Sequence, residues 1–381
     1  MIYLDNSATS FPKPPEVRAA AANAMSTSAN PGRGGHRLSI AASEEIFAAR
    51  QTAAELFHAE KSENVILTLN CTAAINTVLK GILHSGDHVV VSDLEHNAVM
   101  RPLERLKKLG VTVTAAKVVP CDDEKTLNAF RQAINARTRL IVCTQASNVW
   151  GIRLPVERLS ALAHEYGLPI LVDGAQSAGV VPIDLQRSGI DYLCLAGHKG
   201  LYGPMGTGML IISGGAVPDS LTEGGTGSSS DSYEQPPQLP DRLESGTPNV
   251  SGIAGLRAGM EFVRRRRPEQ IAAHEFRLIR RLYRELNRLE GVRLYLPEPV
   301  EAFFVPILSF NLEGMDSETA GQLLSRQGIA VRAGLHCSPA AHQAMGTLQS
   351  GAVRVSPSVF TQEQEIERFV AAVKKILRNR I

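Results

Sequence analysis

The chain has 381 residues, of which 44% are hydrophobic and 20% are charged, and this length allows one large core with a smaller second domain. Its formal net charge of +2 argues against a nucleic-acid-binding protein and against a protein of membrane surfaces. No segment is apolar for long enough to span a membrane, and the N-terminal segment lacks the pattern of a signal peptide. Five scattered cysteines argue against a disulfide framework. We therefore expect a cytoplasmic protein without nucleic-acid or membrane partners.

Short β-rich runs alternate with helical patterns over the first two-thirds of the chain. Several runs are apolar nearly throughout, which is typical of strands buried on both faces. The helical pattern at 155–167 has Pro155 near its start and Gly167 just past its end, as helix capping favours. The sequence thus predicts an α/β fold with a mostly parallel seven-stranded sheet covered by helices. The predicted strands are residues 64–69, 88–93, 111–119, 139–145, 169–173, 192–196 and 208–212.

Residues 213–246 interrupt this alternation because they are rich in Gly, Ser and Pro. Composition favours a disordered surface loop, and a functional loop is the alternative. The elements predicted after it indicate a smaller α+β domain. They are strands at 292–297, 307–312, 329–334 and 352–356, and helices at 317–328 and 361–380. We expect a large domain of residues 16–262 and a small domain of residues 1–15 and 263–381.

Polar side chains follow five of the predicted strands. They are Thr72, His96, Asn148, Asp173 with Gln176, and His198 with Lys199. In open parallel sheets, ligands bind beyond the carboxyl ends of the strands, so we expect these side chains to meet at one edge. Each residue alone has a simpler interpretation, such as a helix cap, a turn residue or a solvated lysine.

The residue types indicate a particular chemistry. A lysine amine such as that of Lys199 forms a Schiff base with a carbonyl cofactor, and pyridoxal 5'-phosphate carries such an aldehyde. That cofactor also needs an anion near its ring nitrogen, a donor near its phenolic oxygen, an aromatic ring on its face and a helix N-terminus for its phosphate. The candidates, in that order, are Asp173, Gln176, His96 and the helix that begins at Thr72 and Ala73.

Five motifs resemble those of the cysteine desulfurases, which belong to class V of the aminotransferase superfamily. The motifs are LDNSAT (4–9), DGAQSAG (173–179), GHKGLYGP (197–204), ESGTPN (244–249) and VRAGLHCSPAAH (331–342). The resemblance covers nearly the whole chain and keeps the order of the family's motifs. It implies the aspartate-aminotransferase-like fold of pyridoxal-phosphate enzymes.

The resemblance also implies roles for residues around the cofactor ring. Lys199 would hold the cofactor, Asp173 and Gln176 would set its ring, and His96 would stack on it. Asn148 would lie near the phenolic oxygen and the substrate.

A second group of implied roles concerns the cofactor phosphate and the substrate. Thr72, Ala73 and His198 would bind the phosphate, and Thr247 would reach the phosphate held by the other subunit of a homodimer. Arg354 would bind the carboxylate of the substrate, a role that suits the planar fork of an arginine.

Cys337 would be the nucleophile that takes sulfur, whereas the other four cysteines are interpreted as small buried hydrophobes. Cys337 lies beyond a predicted strand and follows His336, and exposure with a neighbouring imidazole favours a reactive thiolate. A metal site formed by His336, Cys337 and His342 is the alternative. Their spacing matches no standard zinc motif, so we expect no metal.

Some positions depart from the family's pattern. Ala196 replaces a serine that faces the phosphate in many relatives, and Leu335 and Asn97 each replace a histidine. Gly200 is an extra residue after Lys199, and the segment EGGTGSSS (223–230) is also unusual. The short separation between Cys337 and Arg354 resembles that of desulfurases with a compact cysteine loop. These features indicate a less familiar branch.

The predicted reaction is the removal of sulfur from L-cysteine, which gives L-alanine and a persulfide on Cys337 for an acceptor protein of unknown identity. Lys199 would remove the α-proton, and His96 would move protons at the substrate thiol. The alternatives are a selenocysteine lyase, another pyridoxal-phosphate-dependent carbon–sulfur lyase or transaminase, and a non-enzymatic protein that kept the fold.

Overall fold

A computed structural model describes residues 1–32 and 34–379. The strands, in chain order, are β1 (Ile2–Tyr3), β2 (Val65–Thr68), β3 (His88–Ser92), β4 (Thr112–Ala116), β5 (Thr138–Thr144), β6 (Ile170–Asp173), β7 (Tyr192–Ala196), β8 (Gly208–Ile212), β9 (Val292–Leu294), β10 (Leu308–Leu312), β11 (Ile329–Ala330), β12 (Arg332–Gly334) and β13 (Ala352–Val355).

The helices, in chain order, are α1 (Pro15–Thr27), α2 (Arg37–Phe57), α3 (Cys71–Ile82), α4 (Asn97–Lys107), α5 (Asp123–Ala133), α6 (Val156–Glu165), α7 (Leu185–Ser188), α8 (Val250–Arg266), α9 (Pro268–Leu286), α10 (Ser317–Arg326), α11 (Pro339–Ala344) and α12 (Glu363–Arg378). Several are preceded by a residue whose side chain accepts a hydrogen bond from the first turn, as helix capping predicts. These caps include Asn70, Asp122, Asn249 and Asp316.

The large sheet has seven strands in the order β2-β8-β7-β6-β5-β3-β4. The strands from β7 to β4 run parallel to their neighbours, and β8 runs antiparallel to both β7 and β2. This arrangement confirms the predicted fold class. All seven strands fall where the apolar runs of the sequence predict them.

Helices cover both faces of this sheet, so successive strand residues enter different cores. Val90 packs with Leu159 of α6 on one face. Val89 and Val91 pack with Ile75 of α3 on the other face. The side chains of a strand alternate between its two faces, which is why both sets are apolar.

The C-terminal part forms an antiparallel sheet in the order β12-β13-β10-β9, packed against α9, α10 and α12. The single strand predicted at 329–334 is two strands, because its halves have different partners. Ile329 and Ala330 pair with β1, whereas Arg332–Gly334 pairs with β13. The predicted helix 361–380 is observed as α12, and its last predicted residue lies outside the described residues.

The segment 213–249 consists of turns, bends and extended chain between β8 and α8. Glu244 ties it to the edge of the large sheet. Its Oε1 accepts the backbone N–H of Leu67 in β2 at 2.6 Å, and its Oε2 accepts from Arg50 Nη2 at 2.7 Å. The segment is exposed over much of its length, as its composition predicts, but this anchor fixes its C-terminal end.

Over residues 1–32 and 34–379, no helix is both long and apolar enough to cross a membrane.

Candidate active site

A cavity of about 220 Å³ lies beyond the carboxyl ends of β3, β5, β6 and β7. Its lining includes Thr72, His96, Asn148, Asp173, Gln176, His198, Lys199, Cys337 and Arg354. The first seven follow strands of the large sheet, and the last two come from the C-terminal part. Ala73 and Thr247 are outside this lining: the N–H of Ala73 donates to the Asn70 side chain at 2.9 Å, and Thr247 is exposed.

Asp173 is the last residue of β6 and is only 4% exposed. Its Oδ1 accepts the N–H of Ala175 at 2.9 Å and the thiol of Cys71 at 3.4 Å. Burial raises the pKa of that thiol, so Cys71 keeps the proton that it donates. Both donors bind the same carboxylate oxygen. In the part of the chain that the structure describes, Oδ2 takes no hydrogen bond and can receive a donor from a ligand.

The Lys199 amine lies in the same cavity beyond the end of β7. Burial lowers its pKa, and the negative charge of Asp173 opposes part of that change. Because desolvation disfavours the ammonium form, the neutral amine becomes more accessible near neutral pH. A neutral amine is the form that attacks a carbonyl or takes a proton.

Two features near the start of α3 suit an anion. The N-terminus of this helix carries the positive end of the helix dipole beside the exposed Thr72. The Nδ1 atom of His198 is buried and, among the described residues, has no hydrogen-bond partner. Burial and the Lys199 charge lower the pKa of His198 to about 4, so the ring is a neutral donor or acceptor. Ala196 adds no hydroxyl to this group.

His96 caps helix α4 with its own ring. Its Nδ1 accepts the N–H of Ala98 at 3.0 Å. Burial lowers the pKa of His96 to about 4, although Asp173 opposes this effect. The neutral ring therefore carries its proton on Nε2, the nitrogen that the cap leaves available.

Cys337 is exposed in the loop after β12, and Arg332 lies beside it. The distance from Arg332 Nη2 to the Cys337 sulfur is 3.9 Å. The expectation that His336 supplies an imidazole beside this thiol is wrong. His336 is only 4% exposed, and its ring stacks on that of His342 with 5.6 Å between the ring centroids. His342 in turn packs against Trp150, so the His336 ring lies in the interior.

No metal centre forms around this loop: within residues 1–32 and 34–379, no three His, Cys, Asp or Glu side chains gather as metal ligands do. Burial lowers the pKa values of His336 to about 2 and of His342 to about 4, so both rings are neutral.

Arg354 in β13 is 1% exposed and has an ionic partner from the N-terminal segment. Its Nη2 donates to Asp5 Oδ1 at 2.7 Å, and its Nη1 donates to the backbone carbonyl of Asn148 at 2.8 Å. Its Nε is buried without a partner in the described part of the chain. Arg332 is its cross-strand neighbour, so two guanidinium groups face one cavity.

The two amides predicted to face the cofactor bind protein groups in this structure. Gln176 Nε2 donates to the carbonyl of Ser7 at 3.0 Å. Asn148 Nδ2 donates to the carbonyl of His336 at 2.8 Å, and Asn148 Oδ1 accepts from Ser338 Oγ at 2.6 Å. Their roles toward a cofactor stay predictions.

Sequence reasoning missed several residues that shape the site. Arg332 and Asp5 lie inside two of the motifs, but their contacts with Cys337 and Arg354 become apparent only in the folded chain. Cys71 is buried, as its apolar surroundings predict, yet it also lines the cavity. The expectation that Cys121 is buried is wrong, because its thiol is exposed. Thr9 of the N-terminal motif and Lys13 beyond it hold the backbone next to Lys199, because the carbonyl of His198 accepts from Thr9 Oγ1 at 3.0 Å and from Lys13 Nζ at 2.8 Å.

The sequence profile described as aminotransferase class-V matches residues 2–369. The chain belongs to this family. The match confirms the superfamily that the sequence motifs indicate.

A cysteine desulfurase of Synechococcus elongatus is 32% identical over 388 residues, which are 99% of this chain and 60% of that protein. The chain thus spans less than two-thirds of the length of that relative. A probable cysteine desulfurase of Methanothermobacter thermautotrophicus is 32% identical, with 98% of this chain and 94% of that protein covered.

A solved structure of a cysteine desulfurase has the same fold. The apo structure of a cysteine desulfurase from Thermococcus onnurineus superimposes with a TM-score of 0.90 at 31% identity and covers 99% of this chain and 95% of that chain. The resemblance to cysteine desulfurases that the sequence motifs indicate is therefore confirmed.

Proposed function

We propose that the chain is a pyridoxal-phosphate-dependent cysteine desulfurase that removes sulfur from L-cysteine. The observation that carries the proposal is the cavity that Lys199, Asp173, Arg354 and Cys337 line together. An amine, an anion, a carboxylate-binding cation and a thiol are the four groups that this reaction requires. The names of the relatives add independent support.

The residues of the cavity fit the cofactor. Lys199 would hold its aldehyde, and Asp173 Oδ2 would accept its ring N–H. The start of α3, with Thr72 and with Ala73 once its N–H leaves the Asn70 side chain, would hold its phosphate. His198 Nδ1, which has no partner among the described residues, would add a further contact. Bound there, pyridoxal 5'-phosphate supplies a ring that draws electrons from the α-carbon of an amino acid.

Three other side chains would act around the ring. His96 would cover one face, and Gln176 and Asn148 would lie near the phenolic oxygen. All three line the cavity. The Nε2 proton of His96 is the one available for transfer to the substrate, because Nδ1 is held by the helix cap.

Arg354 would bind the substrate carboxylate. Its side chain is buried, so an ionic contact there is weakly screened by solvent. The neighbouring Arg332 adds a second positive charge.

Proton and sulfur transfer would then use two groups of the chain. The Lys199 amine, whose pKa is lowered by burial, takes the α-proton of the substrate. The Cys337 sulfur, beside Arg332, attacks the sulfur of the substrate. The carbon–sulfur bond breaks, a sulfur–sulfur bond forms on Cys337, and protonation of the carbon leaves L-alanine. An acceptor protein would later take the outer sulfur from the exposed Cys337.

A homodimer in the cytoplasm is the remaining part of the proposal. Ile40 and Phe47 are about half exposed and lie two turns apart on α2, so this helix presents an apolar face. The exposed Thr247 would bind the cofactor phosphate in the other subunit.

Light scattering should give twice the mass of one chain. Mixing K199A with T247A subunits should restore some activity in the heterodimers if Thr247 acts across the interface.

The deciding test is intact-mass analysis after incubation of the holoprotein with L-cysteine. We expect one added sulfur on the Cys337 peptide of the parent, and none in K199A or C337S. Cys121→Ser is the matched control because Cys121 is also exposed, and it should gain sulfur as the parent does. Alanine released at the parent rate by C337S would remove the persulfide step and favour a selenocysteine lyase or another carbon–sulfur lyase. A parent that gains no sulfur and releases no alanine would refute the proposal.

A further inference from the structure

The loop that carries Cys337 has a strained backbone. His336 and Cys337 are successive non-glycine residues with φ values of 52° and 56°. The left-handed region disfavours residues with a Cβ, and such strain persists only where surrounding contacts hold it. The contacts that hold this loop therefore decide where the thiol sits.

Asn148 makes the central contacts of this loop. Its Nδ2 donates to the carbonyl of His336 at 2.8 Å, and its Oδ1 accepts from the hydroxyl of Ser338 at 2.6 Å. The carbonyl of His336 only accepts, so it fixes which end of the amide is the NH₂ group. Ser338 and Asn148 are 0% and 7% exposed, so water does not compete for these bonds.

A second contact holds the other side of the loop. The N–H of Asn97 donates to the carbonyl of Cys337 at 2.8 Å. The backbone carbonyl of Asn148 also accepts from Arg354 Nη1 at 2.8 Å. Asn148 thus joins the residue proposed to bind the substrate carboxylate to the loop that bears the proposed nucleophile.

We propose that Ser338 is a positioning residue for sulfur transfer, because its hydroxyl fixes the Asn148 amide that holds the Cys337 loop in its left-handed conformation. This inference rests on the proposed function, in which Cys337 attacks the substrate sulfur. Ser338 itself touches neither the substrate nor the cofactor in this role. Without its hydroxyl, Asn148 Oδ1 would be buried without a donor, and the bond from Nδ2 to the His336 carbonyl alone would hold the amide.

The test compares Ser338→Ala with Ser177→Ala. Ser177 is an equally buried serine whose hydroxyl donates at 2.6 Å to the side-chain oxygen of Gln145, so its loss removes a matched bond away from the cysteine loop. We expect S338A to add sulfur to Cys337 roughly ten- to a hundred-fold more slowly than the parent in a single turnover, because small misplacements of reacting groups have effects of that size. Its cofactor and L-cysteine dissociation constants should change by a smaller factor than this rate, because Lys199, Asp173 and Arg354 are unaltered and only the Asn148 amide, near the proposed cofactor and substrate positions, loses a partner.

Hydrogen exchange gives a readout that does not depend on chemistry. Peptides that cover residues 335–342 should exchange faster in S338A than in the parent and in S177A. Ser338→Thr keeps the hydroxyl and should recover both the exchange pattern and most of the sulfur-transfer rate.

Several results would overturn the proposal. They are an S338A that transfers sulfur at the parent rate, an S177A that is equally slow, a threonine variant as slow as the alanine variant, and exchange that does not change in the loop. If the parent itself gains no sulfur, the proposed function fails first, and the role of Ser338 in sulfur transfer falls with it.

Discussion

Arg354 Nη2 donates to the carboxylate of Asp5 at 2.7 Å and thereby joins β13 to the N-terminal motif. The Arg354 side chain is 2% exposed and that of Asp5 is 20% exposed. The carboxylate of Asp5 thus balances a guanidinium charge that water barely reaches, at the place where a substrate carboxylate is proposed to bind.

Replacing Asp5 with Asn should lower the free energy of unfolding by about 1.5–3 kcal/mol, because a hydrogen bond to a charged group becomes a neutral one and the buried Arg354 charge loses its counterion. Urea denaturation measures this change. L-Alanine, which offers a carboxylate to Arg354, should raise the Tm of the variant more than that of the parent.

Asp219→Asn is the control, because Asp219 pairs with Arg242 at the surface with 68% of its side chain exposed. Exposed ion pairs contribute about 1 kcal/mol or less. Equal losses in D5N and D219N would show that the burial of Arg354 has no influence on this pair.

The sequence predicts well which strands and which strand-end residues form this site, because both depend on local patterns. Apolar runs mark strands such as β3 and β6 that are buried on both faces, and the polar residue that follows each one must appear at the carboxyl edge of the sheet. This pattern predicts the positions of Asp173 and His96. The contacts that join distant segments carry no local pattern, so Asp5–Arg354 and Ser338–Asn148 were not predicted.

The cysteine loop shows the same limit. Adjacency in sequence predicts that the His336 imidazole lies beside the Cys337 thiol. In the structure both residues have left-handed backbone conformations, and the imidazole stacks on His342 in the interior. The cation beside the thiol, Arg332, belongs to the preceding strand. Backbone conformations of this kind are set by tertiary contacts rather than by residue type.

Replacing Gly200 with Ala should disturb the backbone next to Lys199. A Cβ at Gly200 would lie 2.1 Å from the carbonyl oxygen of Ala178, so one of the two turns must move. We expect a loss of about 1–3 kcal/mol in the free energy of unfolding, as for other overpacked sites, together with weaker cofactor binding. Thermal unfolding and titration of the apoprotein with the cofactor measure the two effects.

Gly225→Ala is the matched control for this change, because a Cβ there meets no atom within 4 Å. It should leave the Tm and the cofactor affinity at their parent values. If G200A also binds the cofactor as the parent does, the close approach of the two turns has no bearing on the position of Lys199.

Glu95 should make the stability of the protein depend on pH. Burial raises its pKa from 4.5 to about 8, although the Ser92 hydroxyl and the N–H of Thr144 both donate to its Oε1. The folded state therefore keeps a proton that the unfolded chain releases. This contribution to stability is complete below about pH 4.5 and is lost as the pH rises through about 8.

Glu95→Gln removes this titration while keeping an oxygen for Ser92 and Thr144. Its free energy of unfolding, measured in urea from pH 5 to about 8.5, should fall less with rising pH than that of the parent. Glu60→Gln alters an exposed carboxylate and should leave the slope unchanged. Parallel pH profiles for E95Q and the parent would mean that Glu95 does not hold a proton in the folded state.

Replacing Glu244 with Gln should release the segment 213–249 from the large sheet. Glu244 binds Arg50 through both oxygens and accepts the N–H of Leu67 at the edge strand, so an amide would place an NH₂ group against one of these donors. We expect a loss of about 1.5–3 kcal/mol in the free energy of unfolding and faster hydrogen exchange in the segment.

Glu367→Gln is the control: it breaks an ion pair whose side chains are 38% and 55% exposed, and it should lower the free energy of unfolding by less than about 1 kcal/mol. Thr247 lies just after this anchor, so cofactor affinity should fall in E244Q and not in E367Q if Thr247 reaches the phosphate of the other subunit. Unchanged exchange in the segment would show that other contacts hold it.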